Sequence, residues 1–484
     1  MKRTLLLHLS ALIFPFGLLA DTGPYFGNAL KIGEVTQDSA IIWTRLTQTR
    51  FFNTQGRSWI EYPVDSGQRK SDGSPKLEYH SRMPDGATLA DMEFSLMGAP
   101  GQVRLTYWPR QDRKQAVSQD WMPVGNDRDH AVRIALENLQ PGTRYALVME
   151  ARSPEGAISD SVEGQFSTAW PEDAEEAVNF TVVTCHDFIR RDDLINGHLI
   201  YPSMARIVKP HFLVHAGDIE YYDKPNPWAR NAEVARYKWN RIFALPYQVD
   251  FYRQFPAYFI KDDHETLRND CWPGQTYGDL TWEMGLALYR EQVPMGEKTY
   301  RTVRWGKDLQ IWMVEGRDFR SPNNMADGPG KTIWGEKQKK WLFESFSHSD
   351  ATFRILISPT PIVGPDRESK NDNHANKGFT WEGDQVRNFL SAQKNAFVIC
   401  GDRHWQYATK DPRTGVLEYS VGAGSDVHAG GFQYSNRTEA HKFLRIAGGF
   451  LGVRVYRNEG IPTINFTHYN VDGGPENTET FTVK

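Results

Sequence analysis

Apolar and polar positions follow two rhythms along the chain. From about residue 33 to residue 168 they alternate with a period of two in short stretches, 39–44, 103–108, 130–136 and 144–150, divided by turns such as Pro141-Gly142-Thr143. That rhythm predicts a small β-sandwich. Within it, residues 50–85 are polar and rich in Gly, Ser and Pro, which predicts a long loop or insertion. Residues 170–176, Trp-Pro-Glu-Asp-Ala-Glu-Glu, read as a linker. Beyond it, short continuous apolar runs alternate with segments of helical spacing at 199–208, 228–243, 280–292 and 336–346, the pattern of a layered α/β domain. Residues 304–315, 353–359, 417–421, 452–457 and 461–469 supply further strands. The C-terminal end is expected to complete a second sheet against the first, and polar residues 364–378 to form a loop near the mouth of a site. The expected architecture is an N-terminal β-sandwich, 21–170, followed by an α/β domain, 171–484, with two packed mixed sheets flanked by helices.

Length and composition narrow this picture. A chain of 484 residues exceeds what one core usually holds, so two domains are the first expectation. With 24% charged residues, a net charge of −4 and arginines dispersed among acids, no nucleic-acid footprint is expected. Three cysteines are too few for a disulfide framework. Residues 1–20 open with Lys2-Arg3, run almost without polarity and end in a small residue, as a cleaved secretory signal does. The apolar part, about 17 residues with Pro15 and Gly17, is marginal for crossing a bilayer, and no later stretch approaches that length. An exported protein, periplasmic or secreted, and monomeric, is expected.

Four apolar runs end in side chains suited to metals: 182–187, ending in Thr184-Cys185-His186-Asp187, 212–218 leading into Gly217-Asp218-Ile219-Glu220-Tyr221, 257–260 before Lys261-Asp262-Asp263-His264-Glu265, and 396–400 before Gly401-Asp402-Arg403-His404. Open α/β sheets bind ligands beyond the carboxyl ends of their strands, so the four together point to a metal-dependent hydrolase. Asp218 is the candidate to bridge two ions, with Gly217 allowing a sharp turn before it. Tyr221 lies one turn on, and phenolate or thiolate ligation favours a hard, highly charged ion such as ferric iron. Asp263 is expected on the second ion, His264 as the group that protonates the departing oxygen, and Asp402 and His404 on different ions. The thiol of Cys185 is a further candidate, with His186 and Asp187 as alternatives. His215 reads as a buried, hydrogen-bonded residue rather than a ligand, and His374 and His428 as residues within reach of the mouth.

These segments, with 33–45 at the opening of the sandwich, resemble the PhoD-like alkaline phosphatases of the calcineurin-like metallophosphoesterase superfamily. The resemblance implies a fibronectin-like domain ahead of a metallophosphatase domain, ferric iron with calcium or another divalent cation, and a small-molecule phosphate ester as substrate. It implies Cys185 as iron-binding thiolate, Asp218 as bridge, Tyr221 as phenolate, Asp263, Asp402 and His404 as further ligands, and His264 as the catalytic histidine. Arg317 and Arg320 resemble a basic segment of this branch that would pair with phosphate oxygens. Three departures stand out. Thr184-Cys185-His186-Asp187 replaces the usual Asp-x-His. No histidine follows the 353–358 run, leaving the second ion a ligand short unless Glu315 or water serves. Lys261 stands where a tryptophan is common. The reaction expected is in-line attack of a metal-bound hydroxide on a phosphomonoester, with a phosphodiesterase or phospholipase of the same fold as the near rival. A secreted binding module is the rival of another class, and it predicts that the metal-type residues are scattered in space.

Overall fold

The computed structural model describes residues 23–70, 72–154 and 156–483. The expected export signal, 1–20, lies outside the described residues. No helix among the described residues is long and apolar enough to cross a membrane.

The apolar runs become strands of two large sheets. One has nine strands, in the order Pro475–Thr482, Ile461–Tyr469, Phe450–Asn458, Val178–Val183, Phe212–Ala216, Ala257–Ile260, Leu30–Gly33, Ala40–Arg45 and Ala131–Leu136. The other has seven, Arg301–Trp305, Leu309–Met313, Phe353–Ser358, Ala396–Cys400, Leu417–Val421, Gln406–Lys410 and His441–Arg445. In each sheet the central strands run parallel, Val178–Val183 beside Phe212–Ala216 beside Ala257–Ile260 in the first, and Leu309–Met313 through Leu417–Val421 in the second. Parallel strands are buried on both faces, which is why their sequences are continuously apolar rather than alternating.

Successive side chains point to opposite faces, and the two faces are filled differently. Phe180, Val182, Val214 and Tyr258 pack against Ile311, Ile355, Ile357 and Ile399 in one core between the sheets. Val183, Leu213 and Phe259 face outward onto the helices Ile200–Ile207, Ala232–Ile242, Pro246–Tyr252 and Trp282–Gln292. On the other side Trp312, Leu356 and Val398 meet Gly335–His348 and Thr380–Ser391. The layers are helix, sheet, sheet, helix, and the parallel strands of both sheets end on the same side.

Three expectations need correction. The N-terminal region is not a free-standing sandwich: Leu30–Gly33, Ala40–Arg45 and Ala131–Leu136 extend the nine-stranded sheet itself, with Gly33 opposite Ala257. The sheet of Ile158–Ser167, Arg144–Arg152, Gly101–Pro109, Val117–Ser118 and Met122–Val124 is separate, and it packs on the shared sheet through Val103, Leu105 and Leu147. Residues 50–85 are not a plain loop, because Ile60–Arg69 and Pro75–Arg82 form a hairpin. Both its faces are largely exposed, so no alternation of polarity marked it. The last strands also divide: Phe450–Asn458 pairs with Val178–Val183 in the first sheet, while the second is completed by Gln406–Lys410 and His441–Arg445. Edge choice depends on which strand is left unpaired, and periodicity does not encode it.

Candidate metal centre

Three of the strand ends turn in the same way. Cys185, Asp218 and Asp402 have φ of 56°, 55° and 61°, a left-handed conformation that non-glycine residues seldom adopt and that costs about 1–3 kcal/mol each. The glycines preceding two of them allow a close approach. A Cβ on Gly217 would lie 2.6 Å from Asp262 Cβ, and one on Gly401 would lie 2.2 Å from the Ala216 carbonyl oxygen. The turns carry the polar side chains back over the sheets rather than out to solvent.

The result is two sets of metal-type groups that share one carboxylate. Ligand atoms of Cys185, Asp218 and His404 lie within 4.8 Å of one another, and so do those of Asp218, Asp263 and His264. Asp218 is fully buried, accepts from Tyr221 Oη at 3.0 Å and from Cys185 Sγ at 3.3 Å through Oδ2, and has no partner for Oδ1. Of the three first-strand alternatives, Cys185 is the one in the cluster. His186 points away, its ring 4.4 Å from that of His215 and 4.7 Å from that of His198, and Asp187 caps the turn Phe188–Arg190 through Ile189 N.

Electrostatics test whether this set suits cations. Burial pushes the Cys185 thiol, the Asp218 carboxyl and the Tyr221 phenol well above their ordinary values, and the negative neighbours of each push the same way. A thiol, a phenol and an orphaned carboxylate oxygen, all desolvated and facing one another, become anionic only if positive charge sits among them. The donor set therefore fits a metal cation on the Cys185 and Tyr221 side. The Asp263 side is different. Burial would raise the Asp263 carboxyl, yet Arg317 and His264 outweigh it and hold it well below the usual range.

His264 has a partner that periodicity did not single out. Its Nδ1 lies 2.6 Å from Asp223 Oδ1, and Asp223 Oδ2 accepts from Asn269 N at 2.8 Å. Burial would push the imidazole down, but Asp223, Asp263 and Asp218 hold it well above its ordinary value. Asp223 stands two residues after Tyr221 in Tyr221-Tyr222-Asp223, an unremarkable acid in a polar loop until the fold brings His264 over it. Lys238, also overlooked, reaches from its helix to the carbonyls of Tyr221, Lys224 and Pro227 and so fixes the loop that carries Tyr221 and Asp223. His428 packs its ring 4.1 Å from that of His404 and 5.3 Å from that of Tyr221, with Nδ1 3.1 Å from the Cys185 carbonyl oxygen.

Other expected site residues sit at the margin. Asp402 is outside both ligand groups: its Oδ2 lies 2.5 Å from Arg403 Nη2, which the buried Arg403 shares with Asp366 and Asp372. Burial still raises the Asp402 carboxyl to about 6. Arg317 is fully buried, with Nε 2.5 Å from Asp262 Oδ1 and Nη1 donating to the Cys271 carbonyl, which leaves Nη2 without a hydrogen-bond partner. Arg320 donates from Nε to Asn323 at 2.9 Å and from Nη2 to the Asp372 carbonyl, and its buried Nη1 has no hydrogen-bond partner. Neither presents an open fork. Glu315 is not free to complete a metal site, since Lys261 and the amides of Arg317 and Asp318 occupy its carboxylate. Lys261 thus forms a buried ion pair with Glu315. His215 is buried in the core, as expected, but neither of its ring nitrogens has a hydrogen-bond partner among the described residues. His374 is locked to Glu382 at 2.9 Å, away from the mouth.

Comparison with known proteins adds a family. A family model described as PhoD-like phosphatase matches residues 180–448. Alkaline phosphatase D of Bacillus subtilis (strain 168) is 21% identical over 303 residues, which cover 51% of this chain and 50% of that protein. The chain thus spans about half the length of the curated relative it matches. Among solved structures, one described as PhoD superposes with a TM-score of 0.70 at 16% identity, covering 95% of this chain and 90% of that one. A purple acid phosphatase from yellow lupin (Lupinus luteus) seeds gives a TM-score of 0.61 at 12% identity, covering 94% and 74%. At these identities the superpositions speak to fold alone.

Proposed function

Because the chain belongs to the PhoD-like phosphatase family, we propose that it is a metal-dependent phosphate-ester hydrolase acting at the strand-end centre, with phosphomonoesters as its main substrates. The observation that carries this reading is the double membership of Asp218, whose carboxylate belongs to both groups of clustered ligand atoms. A shared carboxylate between two sets of donors is what a pair of neighbouring ions requires.

In this reading Cys185, Asp218, Tyr221 and His404 hold one ion, of ferric type, while Asp218 and Asp263 hold a divalent one such as calcium. Asp402 flanks the second position and contributes charge. The ions, when bound, supply Lewis-acid activation of water and neutralise charge on the phosphoryl oxygens. The chain's own residues do the rest. Asp223 fixes the Nδ1 proton of His264, which leaves Nε2 to give a proton to the departing oxygen. Arg317 Nη2, which lies 3.5 Å from Asp263 Oδ2, and Arg320 Nη1 make no hydrogen bond and can each donate to a phosphoryl oxygen, one donor each rather than a bidentate fork. Burial of Cys185, Asp218, Asp263 and Arg317 keeps these interactions strong, while the partly exposed His404 and Asp402 face the open side of the site. No side chain is expected to form a covalent intermediate.

Metal analysis of natively purified protein, with a panel of matched monoesters and diesters, tests the proposal. Two metals per chain and faster turnover of the monoester support it. Turnover that survives exhaustive chelation counts against any metal role, and a preference for the diester selects the phosphodiesterase reading. The convergence of Cys185, Asp218, Asp263, His264 and His404 is not what a pure binding module needs.

A further inference from the structure

Beside His404 the loops 365–369 and 432–438 enclose a groove of about 720 Å³. The groove adjoins the metal centre through short links. Gly430 N donates to the His404 carbonyl at 3.0 Å, and a Cβ on the next residue, Gly431, would lie 3.2 Å from Arg367 Nη1. Arg367 lies over the Trp405 ring, 5.5 Å from its centroid, and Phe432 stacks on the same tryptophan at 4.8 Å and 16°. Phe432 lines the groove with Trp405 buried behind it, so the side nearest the centre offers one aromatic ring with a guanidinium at its edge.

That guanidinium is poorly matched inside the protein. Arg367 Nε is buried without a hydrogen-bond partner, its nearest carboxylate oxygen, on Asp366, is 3.6 Å away, and the side chain keeps 32% of its surface open. Asp366 is itself turned towards Arg403 at 3.2 Å. Arg437 lines the opposite loop of the groove and is exposed, and the remaining acid of the lining, Glu368, is exposed too. Arg367 Nε itself is closed off from the groove, so an anionic ligand there would meet the open part of the guanidinium, which carries the charge to pair with it.

We infer that this groove is a leaving-group subsite, in which Arg367 and Arg437 select phosphate esters whose organic part carries a second negative charge and a flat ring or similar surface. The inference rests on the proposed esterase reading for the word substrate, but the groove's preference is measurable without catalysis. Arg367 and Arg437 are specificity residues here; neither is assigned to the chemical step.

Two measurements test it on the full chain. The first compares kcat/KM for phenyl phosphate and 3-carboxyphenyl phosphate in wild type, R367Q, R437Q and the double variant. One charge-assisted hydrogen bond supports a preference of about tenfold for the carboxylated ester, and that preference should shrink in each single variant and vanish in the double one. The second measures binding of the matching phosphonates, which cannot be hydrolysed, by calorimetry. A wild-type ratio near one, or a preference that survives in the double variant, overturns the inference. If no phosphate ester is turned over at all, the proposed function fails, and the phosphonate ratio alone still decides the subsite.

Discussion

Asp223 converts His264 from a buried ring into an oriented proton donor, so the pair should behave as a unit. D223N should keep the bound metals and lower kcat by about 10- to 100-fold, because the ring loses its fixed tautomer while the ligand set stays intact. Metal content measured beside kcat and KM checks this, and a variant that loses metal as well as rate would instead make Asp223 part of the ligand scaffold. Asp218 stands at the opposite extreme. D218N should lose metal and activity together, by about a thousandfold or more in rate, since one carboxylate serves both groups. A fully metallated, active D218N would reject the bridge. At this scale the residues that end apolar strands were legible, because a strand followed by Gly-Asp or Asp-His says where a side chain must emerge. Asp223 and Lys238 were not, since each acts across a distance in sequence that periodicity does not span, and His428 was visible as a residue within reach of the mouth but without a partner. Arg317 was visible as a basic residue, but nothing in its neighbours told that Asp262 would hold its guanidinium.

Among elements, the long segment 364–378 is the one whose placement depends most on buried ionic groups. Its start is pinned by Glu418, which accepts from the amides of Ile362, Val363 and Gly364 at 2.6, 2.9 and 2.8 Å. Its middle is tied by Lys370 to Asp270 at 2.9 Å, and Asp270 N in turn donates to Asp263 at 2.5 Å. E418A would strand two buried N–H groups and one partly buried one, the buried ones worth about 1–3 kcal/mol each, so a loss of at least about 2 kcal/mol in denaturant unfolding is expected, with new protease cleavage inside 364–378. A second device holds the following helix. Glu382 accepts from His374, from Thr332 Oγ1 and from Ile333 N. Burial alone would raise its carboxyl, but those bonds prevail and hold it at about 2 against an ordinary 4.5. A depressed carboxyl stabilises the fold above its unfolded value and loses that contribution as pH falls from 4.5 towards 2, on the order of 3 kcal/mol in all. E382Q should therefore melt lower than wild type near neutral pH and show a shallower loss of stability across that acid window. An unchanged melting profile at both ends would assign Glu382 no such role. The loop 364–378 and the helices after 199, 228, 280 and 336 were readable from polarity and spacing. The exposed hairpin of residues 60–82 was not, because an element with no buried face leaves no alternation.

Over the whole molecule, the expected boundary at residue 170 does not separate two cores. The nine-stranded sheet crosses it, and one apolar cluster runs from Leu30, Ile32 and Ile42 through Val214 and Tyr258 to Ile355. Polar ties follow the same course: Arg301 holds Glu34 through Nε at 2.9 Å, Trp43 Nε1 donates to the Glu291 carbonyl at 2.8 Å, and Arg133 to the Met295 carbonyl at 2.9 Å. Composition showed the change of rhythm at this point, but a change of rhythm marks where strands give way to strand and helix, not where hydrogen bonding stops. All the candidate ligands lie after residue 170, so a sequence-based division would predict that 171–484 suffices for metal binding and activity. The shared sheet predicts the reverse. Removing the first segment would strip Leu30–Gly33 from the edge at Ala257–Ile260, uncover the apolar face that packs on Val103, Leu105 and Leu147, and leave Arg301 without its carboxylate. Residues 171–484 alone should come out aggregated or without a cooperative melting transition, although no ligand is missing, and calorimetry of that fragment beside the full chain decides the matter. A sharp transition within a few degrees of the full chain would show that the strands before residue 170 only decorate a core that is complete without them.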